Sequence, residues 1–297
     1  MSDIRQSLEF SKYLEKLDWQ THELRIKTTA SSVSREDQEL RIYVRKIPIL
    51  GNFVKIHHPP VALTNDDLKE LAKKYKAFSV QITFSPSKTL VLDLKPSLEK
   101  IFDGFSKDTR YEIRKAQENK IPVKLSDDIS SFAKMWTETA LRRHFWIPFE
   151  KEIKALYESF GSKAFLLSAY HPSSAFGHQS SVLGFQPSVI SHSPSTIHHL
   201  PLAGALILVH DKVAHYFHAA STIEGRKLQA PSLVIYEAIK QAKEKSCTSF
   251  DFEGIFDPRD KDTKNWQGFT RFKKGFGGKE VEYPLTKTKF YFLNFQF

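Results

Sequence analysis

The chain is predicted to be an α/β or α+β protein, and three observations lead there. Segments with partial strand-like alternation interleave with segments of helical periodicity. The second half repeats the theme of the first. The 297 residues, 40% hydrophobic and 26% charged, suit one large or two ordinary folded domains with a sizeable core.

In the first half, strands are predicted at Trp19–Lys27, Leu40–Lys46, Phe53–Ile56, Phe78–Phe84 and Thr89–Leu94, which together are rich in Ile, Val, Phe and Tyr. Between them Thr64-Asn65-Asp66-Asp67 opens a helix carrying Leu68, Leu71, Ala72 and Tyr75 at helical spacing. Thr64 caps its free donors, and the acidic residues suit its positive end. In the second half, helices are expected from Ser130 to Ala140 and from Phe149 to Phe160. Strands follow at Ala164–Tyr170, Leu202–Val209 and Val213–Ala220. Pro231 stands where a helix starts, ahead of Val234, Ile235, Ala238, Ile239 and Ala242. A further strand covers Ser249–Glu253. Residues 171–200, with many Ser, His, Pro and Gly, form a loop or hairpin insertion. Phe290–Phe297 alternates aromatics and is expected to be a final, core-packed strand, with lipid contact as the other reading.

The formal net charge is +10 and the pI about 9.4. That excess attracts polyanions such as nucleic acid, nucleotide phosphates or an anionic membrane face; a basic surface kept for solubility is the alternative. The single cysteine, Cys247, excludes an internal disulfide and a Cys-based zinc site. Met1-Ser2-Asp3-Ile4-Arg5 contains no apolar h-region, and no apolar run approaches the roughly 20 residues of a membrane helix. A cytoplasmic location is expected.

Three segments carry chemistry. Gly268-Phe269-Thr270-Arg271-Phe272-Lys273-Lys274-Gly275-Phe276-Gly277-Gly278 interleaves glycines, cations and phenylalanines. A lysine held between rings loses hydration, and its charge then acts more strongly on a nearby oxyanion. A glycine-rich turn with solvated lysines is the alternative. In Phe250-Asp251-Phe252-Glu253-Gly254-Ile255, strand alternation points Asp251 and Glu253 to one face, able to orient an amine or hold a cation. A water-exposed strand end explains them too. In Ser106-Lys107-Asp108-Thr109-Arg110-Tyr111-Glu112-Ile113-Arg114-Lys115-Ala116, helical geometry groups Lys107, Arg110, Tyr111 and Arg114 into a phosphate-binding face. Glu118, one turn after Arg114, can instead neutralise it in a solvated face.

These pieces occur in the order seen in the Fem family of aminoacyl-tRNA-dependent transferases that build peptidoglycan cross-bridges, and the chain resembles that family over most of its length. Val91-Leu92-Asp93-Leu94 followed by Arg110–Ala116 resembles its strand and basic R-x-x-[IV]-[RK]-[KR] helix. Phe250–Ile255 resembles its D-x-x-G-I segment, and Phe272-Lys273 with Phe276-Gly277-Gly278 its F-K-x-x-F-G-G signature. The resemblance implies two tandem acetyltransferase-like (GNAT-like) domains, the first over 1–125 with 283–297 returning to it, the second over 126–282. It implies an aminoacyl-tRNA donor and a nucleotide- or lipid-linked peptidoglycan precursor as acceptor. Peripheral contact with the inner membrane face is a further implication; no cofactor and no metal are expected.

In such a transferase an amine attacks an already activated ester, so positioning and stabilisation of negative charge on oxygen dominate. By its match to the motif lysine, Lys273 takes that electrostatic role, with Phe272 packing against the acceptor or the tRNA end. Tyr216 and His218 resemble aromatic positions lining the acceptor groove, and Lys16 matches a phosphate-contacting lysine. Asp251 and Glu253 complete the substrate-binding set; Lys107, Arg110, Arg114 and Lys115 form the tRNA-binding set. Two positions depart from the family: Ser85-Pro86 stands where relatives carry an acidic residue before proline, and Ile147-Pro148 where an arginine precedes proline, with Arg142 and Arg143 nearby.

Two rival readings stay open. An acyl-CoA N-acyltransferase needs a pyrophosphate loop of the form [QR]-x-x-G-x-[GA]. Arg226-Lys227-Leu228-Gln229-Ala230-Pro231 lacks its first glycine and loses a donor at Pro231. A non-catalytic RNA-binding module explains the charge but not the Phe-Lys signature. Metal catalysis is disfavoured: His215 and His218, three apart on a strand, are expected to face opposite ways, and His57-His58 and His198-His199 are adjacent.

Overall fold

A computed structural model describes residues 3–27, 37–142, 150–172 and 201–291. A 3-10 turn at Ile4–Gln6 leads into α1 (Leu8–Glu15), then β1 (Gln20–Lys27), β2 (Asp37–Ile47) and β3 (Gly51–His57). Next come α2 (Asn65–Lys74), β4 (Ala77–Thr83), β5 (Lys88–Asp93), α3 (Leu98–Asp103), α4 (Lys107–Glu118) and β6 (Val123–Ser126). Helices α5 (Ile129–Arg142) and α6 (Glu150–Phe160) precede β7 (Ala164–Ala169), β8 (Ala203–His210) and β9 (Val213–Ser221). The chain continues through α7 (Ile223–Lys227), α8 (Ala230–Glu244), β10 (Ser249–Gly254), α9 (Gln267–Lys274), β11 (Lys279–Glu282) and β12 (Lys287–Phe290).

Two sheets result. The smaller runs β1-β2-β3-β4-β12 and the larger β11-β5-β10-β9-β8-β7-β6. Strand β12 pairs antiparallel with β4, so the C-terminal strand returns to the first sheet as expected. It starts earlier than predicted, and residues 292–297 of the expected strand lie outside the described residues. So do 173–200 of the expected insertion. By pairing, β5 and β6 belong to the larger sheet.

Three cores hold these layers. Leu40, Ile42, Val44, Val54, Ile56 and Val80 of the small sheet pack on Leu68 and Leu71 of α2. That helix is capped by Thr64 in a reciprocal pair with Asp67, as its sequence predicts. One face of the large sheet, with Phe165, Ile207, Ala214, Phe250 and Phe252, packs on Ile113 of α4 and Leu233 and Ile239 of α8. Its other face, with Leu166, Leu206 and Leu208, packs on Phe10 and Leu14 of α1, on α5 and α6, and on Tyr43 of β2. Alternation along β2 therefore splits Tyr43 from Leu40, Ile42 and Val44 and ties the two sheets together.

The N-terminal segment carries no strong pattern in the sequence but is locked in place. Ser7 caps α1 by accepting from Phe10 N at 3.1 Å. The Gln6 amide donates to the His57 carbonyl and, at 3.2 Å, to that of Arg41, and accepts from Arg41 N at 2.8 Å. The glycine-rich signature is also more ordered than a bend: its first part is helix α9, and its end takes positive φ at Gly277 (76°) and Gly278 (101°). A Cβ on Gly278 would stand 2.9 Å from the Val91 carbonyl oxygen, so both backbone angle and space demand glycine.

Gly278→Ala is therefore expected to destabilise the protein by about 1–3 kcal/mol in urea unfolding. Gly268→Ala, where an added Cβ meets nothing within 4 Å, is the matched control and is expected to be neutral or stabilising.

Candidate functional site

The parallel strands β9 and β10 pair only from Ser249–Val213 to Asp251–His215. Beyond that point both lose regularity. Strand β9 bulges, with Tyr216 opposite Ile207 and His218 opposite Leu206. Strand β10 shifts register between Asp251 and Gly254, and Glu253 adopts a left-handed φ of 59°. Into the region where they part reaches Lys273, from the last turn of α9. Its Nζ donates to the Gly254 carbonyl on β10 at 2.7 Å. It also lies 4.9 Å from the ring centre of Phe269 and 6.0 Å from that of Tyr216 on β9. Burial pushes the ammonium down to about 8, opposed by the charges of Glu253 and Asp251.

The signature residues around Lys273 explain its placement. Phe276 is fully buried and anchors the end of α9. Phe272, partly buried, packs its ring 5.5 Å from that of Phe276, against the core. The Gly275 carbonyl accepts from Ser106 N at 2.8 Å, and a Cβ on Gly275 would stand 2.2 Å from Thr109 Oγ1. The glycine thus lets α9 dock on the start of α4, joining two motifs far apart in sequence. Gly254 does the same on the other side, where a Cβ would stand 2.5 Å from the Trp266 ring and 3.1 Å from Pro86 Cβ. The departure at Ser85-Pro86 therefore borders this site.

Asp251 and Glu253 are buried, which removes the reading of an exposed strand end. They converge, as expected, though through the irregular backbone: Glu253 N donates to Asp251 Oδ1 at 2.7 Å. The Arg5 guanidinium donates to Glu253 Oε2 at 2.5 Å, and His215 Nδ1 lies 2.7 Å from Oε1. The Arg5 charge and the bonds from His215 and Arg5 overcome burial and hold Glu253 well below the usual carboxylate range. Burial and then the Glu253 charge push Asp251 the other way, well above that range. Facing this cluster from the small sheet are Tyr43, whose hydroxyl donates to the Arg5 carbonyl at 2.7 Å, and Lys55. Burial and then Arg5 lower the Lys55 ammonium. Neither Arg5 nor Lys55 was among the sequence candidates. Each is an isolated cation in a segment without a motif, so no local signal marks it.

The β9 bulge changes which way the side chains beyond it face. Tyr216 and His218 fall on opposite faces, Tyr216 toward Lys273 and His218 against Trp136 at 5.5 Å between rings. His215 and His218, expected to face opposite ways, share a face. Burial pushes His218 down to about 4, so it is neutral at pH 7. His215, Asp251 and Glu253 bring one potential metal-ligand atom each within 4.8 Å of the others. The Arg5 guanidinium, bonded to Glu253, already supplies positive charge there.

The remaining candidates lie elsewhere. Lys16 ends α1 and pairs with Glu158 at 2.5 Å on an exposed surface, away from the contacts of Lys273. On α4, Lys107, Tyr111, Arg114 and Lys115 are exposed, but Arg110 is half-buried. Its guanidinium donates to the carbonyls of Asp103 and Phe105 at 2.6 Å each, closing the end of α3. Glu118 pairs with Lys115 at 3.6 Å rather than with Arg114, which lies over the Phe102 ring at 5.5 Å. Arg143, Ile147, Pro148 and the pair His198-His199 lie outside the described residues, and Arg142 closes α5.

Among the described residues no helix is long and apolar enough to cross a membrane. No protein of curated function matches the sequence. Several solved structures share the fold. FemX superposes with a TM-score of 0.71 at 15% identity, covering 97% of this chain and 92% of its own. L-PGS from Bacillus licheniformis gives 0.50 at 11% identity, over 81% and 78%. A tandem GNAT protein from the clavulanic acid biosynthesis pathway gives 0.50 at 10%, over 92% and 83%. At these identities the likeness concerns the fold, two tandem GNAT-like units. The sequence itself matches the FemAB family model over residues 52–179 and 188–292. The chain thus belongs to the FemAB family, whose members are transferases of peptidoglycan bridge formation.

Proposed function

We propose that the protein transfers an aminoacyl group from charged tRNA to an amine of a peptidoglycan precursor, nucleotide- or lipid-linked, in the region where β9 and β10 part. The observation that carries the reading is Lys273, a partly desolvated ammonium set between two strands and two rings. When the amine attacks the ester carbonyl, negative charge develops on the carbonyl oxygen. A cation in a low-dielectric setting stabilises that charge far more than it does in water. As the new C–N bond forms, the ester C–O bond breaks and the tRNA ribose oxygen leaves carrying a proton; the incoming amine must in turn lose one. Asp251 is the carboxylate placed for this: its Oδ1 is engaged by Glu253 N, and no hydrogen bond to Oδ2 exists among the described residues. Its raised proton affinity suits a general base near neutral pH. Glu253, paired with Arg5 and His215, stays ionised and orients the cluster. The exposed Lys107, Arg114 and Lys115 on α4 offer phosphate contacts for the tRNA, as positioning charges without sequence readout; Arg110 serves the fold.

Acyl-CoA is the weaker donor. In acyl-CoA transferases the pyrophosphate rests on backbone N–H groups at a helix start. Here α8 begins after Gln229 in the left-handed region, with Pro231 in its first turn. The buried Ser232 there donates to the Glu112 carboxylate from α4 at 2.6 Å. An anionic side chain at that helix start repels a pyrophosphate.

Lys273→Met, which keeps the volume and removes the charge, is expected to lower transfer by roughly 10²–10³-fold with little change in thermal midpoint. The assay follows label from each charged tRNA, or from acetyl-CoA in parallel, into nucleotide- and lipid-linked acceptors. Undiminished transfer by the variant, or label moving only from acetyl-CoA, contradicts the proposal. The rate should also follow a bell in pH. It rises as Asp251 loses its proton, above the ordinary carboxylate range, and falls through about 8 as Lys273 loses its own. Asp251→Asn should remove the acidic limb, and Lys273→Arg should carry the alkaline limb beyond the accessible range. A wild-type profile flat from pH 6 to 9 would contradict both assignments (a range set by about one unit either side of the shifted groups).

A further inference from the structure

Away from Lys273 and Asp251, the turn joining β2 to β3 exposes aliphatic side chains that the fold does not need. Ile47 pairs with Gly51, leaving Pro48, Ile49 and Leu50 as the turn. Ile49 is 96% exposed and Leu50 54% exposed. Ile49 also has a φ of 70°, a conformation that β-branched residues rarely adopt and that glycine or asparagine takes without strain. Folding alone would favour another residue at this position, so the strain points to a use outside the fold.

The same end of the small sheet gathers cations. Lys46 sits on β2 opposite Asn52. The Asn52 amide donates to the Tyr75 carbonyl at 2.7 Å, which ties the hairpin to the end of α2. That contact sets Lys73, Lys74 and Lys76 beside the tip. All four lysines are exposed, and none forms an ion pair among the described residues. The Arg5 cluster lies at the far end of β3, near His57, about 20 Å away at strand rise.

We infer that this hairpin tip and its four lysines form a docking surface for an anionic lipid bilayer. The aliphatic tip enters the headgroup layer while the lysines meet lipid phosphates. An RNA backbone would engage the same cations, but it offers aliphatic side chains no favourable contact, since single-strand binders stack bases on aromatic rings. The inference does not depend on which acyl donor the proposed site uses.

The test is co-sedimentation of the full chain with vesicles of phosphatidylcholine alone or mixed with phosphatidylglycerol. Binding is expected only to the mixed vesicles and should weaken with salt. The double variant Ile49→Gly, Leu50→Ser should bind them about tenfold less. Its thermal midpoint should hold or rise, because glycine relieves the strain at position 49. Lys73→Glu with Lys74→Glu should also lower vesicle binding. Transfer to a soluble nucleotide-linked acceptor should be unchanged in the tip variant, which separates this surface from the chemistry proposed at Lys273. Equal vesicle binding by wild type and tip variant, or no wild-type binding to anionic vesicles at low salt, would overturn the inference. So would a tip variant that loses tRNA affinity and keeps vesicle binding.

Discussion

Glu253 concentrates the constraints of this structure. Its backbone sits in the left-handed region, and its buried carboxylate is shared between Arg5 and His215. A buried charge of this kind is tolerable only when paired, and losing one partner typically costs about 3–5 kcal/mol. The pair therefore acts as a latch. Arg5 comes from the N-terminal turn, Glu253 from the middle of the large sheet, and Tyr43 and Gln6 tie the same turn to the small sheet. The irregularity that brings Glu253 to Arg5 is also where β9 and β10 stop pairing.

From that latch the electrostatics of the site follow. Glu253 stays ionised because it is paired, and burial together with that neighbouring charge makes Asp251 hold its proton more tightly. Two carboxylates two residues apart thus acquire different roles from their surroundings rather than from their chemistry. Beside the same strand, Lys273 loses hydration between Phe269 and Tyr216 yet keeps a carbonyl partner in Gly254. One group that gives up a proton reluctantly and one that gives it up readily lie within reach of the same strand.

The glycines of the signature serve packing as much as flexibility. Gly275, Gly278 and Gly254 each mark a place where backbone, ring or hydroxyl approaches closer than a Cβ permits. They let α9 settle against α4, β5 and β10 at once. The lysine is positioned by these contacts, with Phe276 as the buried anchor, while Phe272 packs inward and leaves the charge to face the parting strands.

Local pattern was enough to read the periodic elements: the capped α2, the strands of both sheets except the short β6 and β11, the Pro-initiated α8, and the motif order that identifies the family. Those signals depend on neighbours in sequence, and periodicity or a cap is written within a few residues. Tertiary structure decided the rest. The N-terminal turn is held by long-range bonds from Gln6 and Arg5, and α9 forms by docking where glycines suggested a bend. The bulge at Phe217 reversed the facing of His218 relative to Tyr216, because one inserted residue inverts strand parity and no composition rule announces it. Arg110, chosen by helical spacing as a phosphate ligand, is spent on the carbonyls that end α3. Spacing along one helix says which residues share a face; only the packing of a second helix says what that face meets.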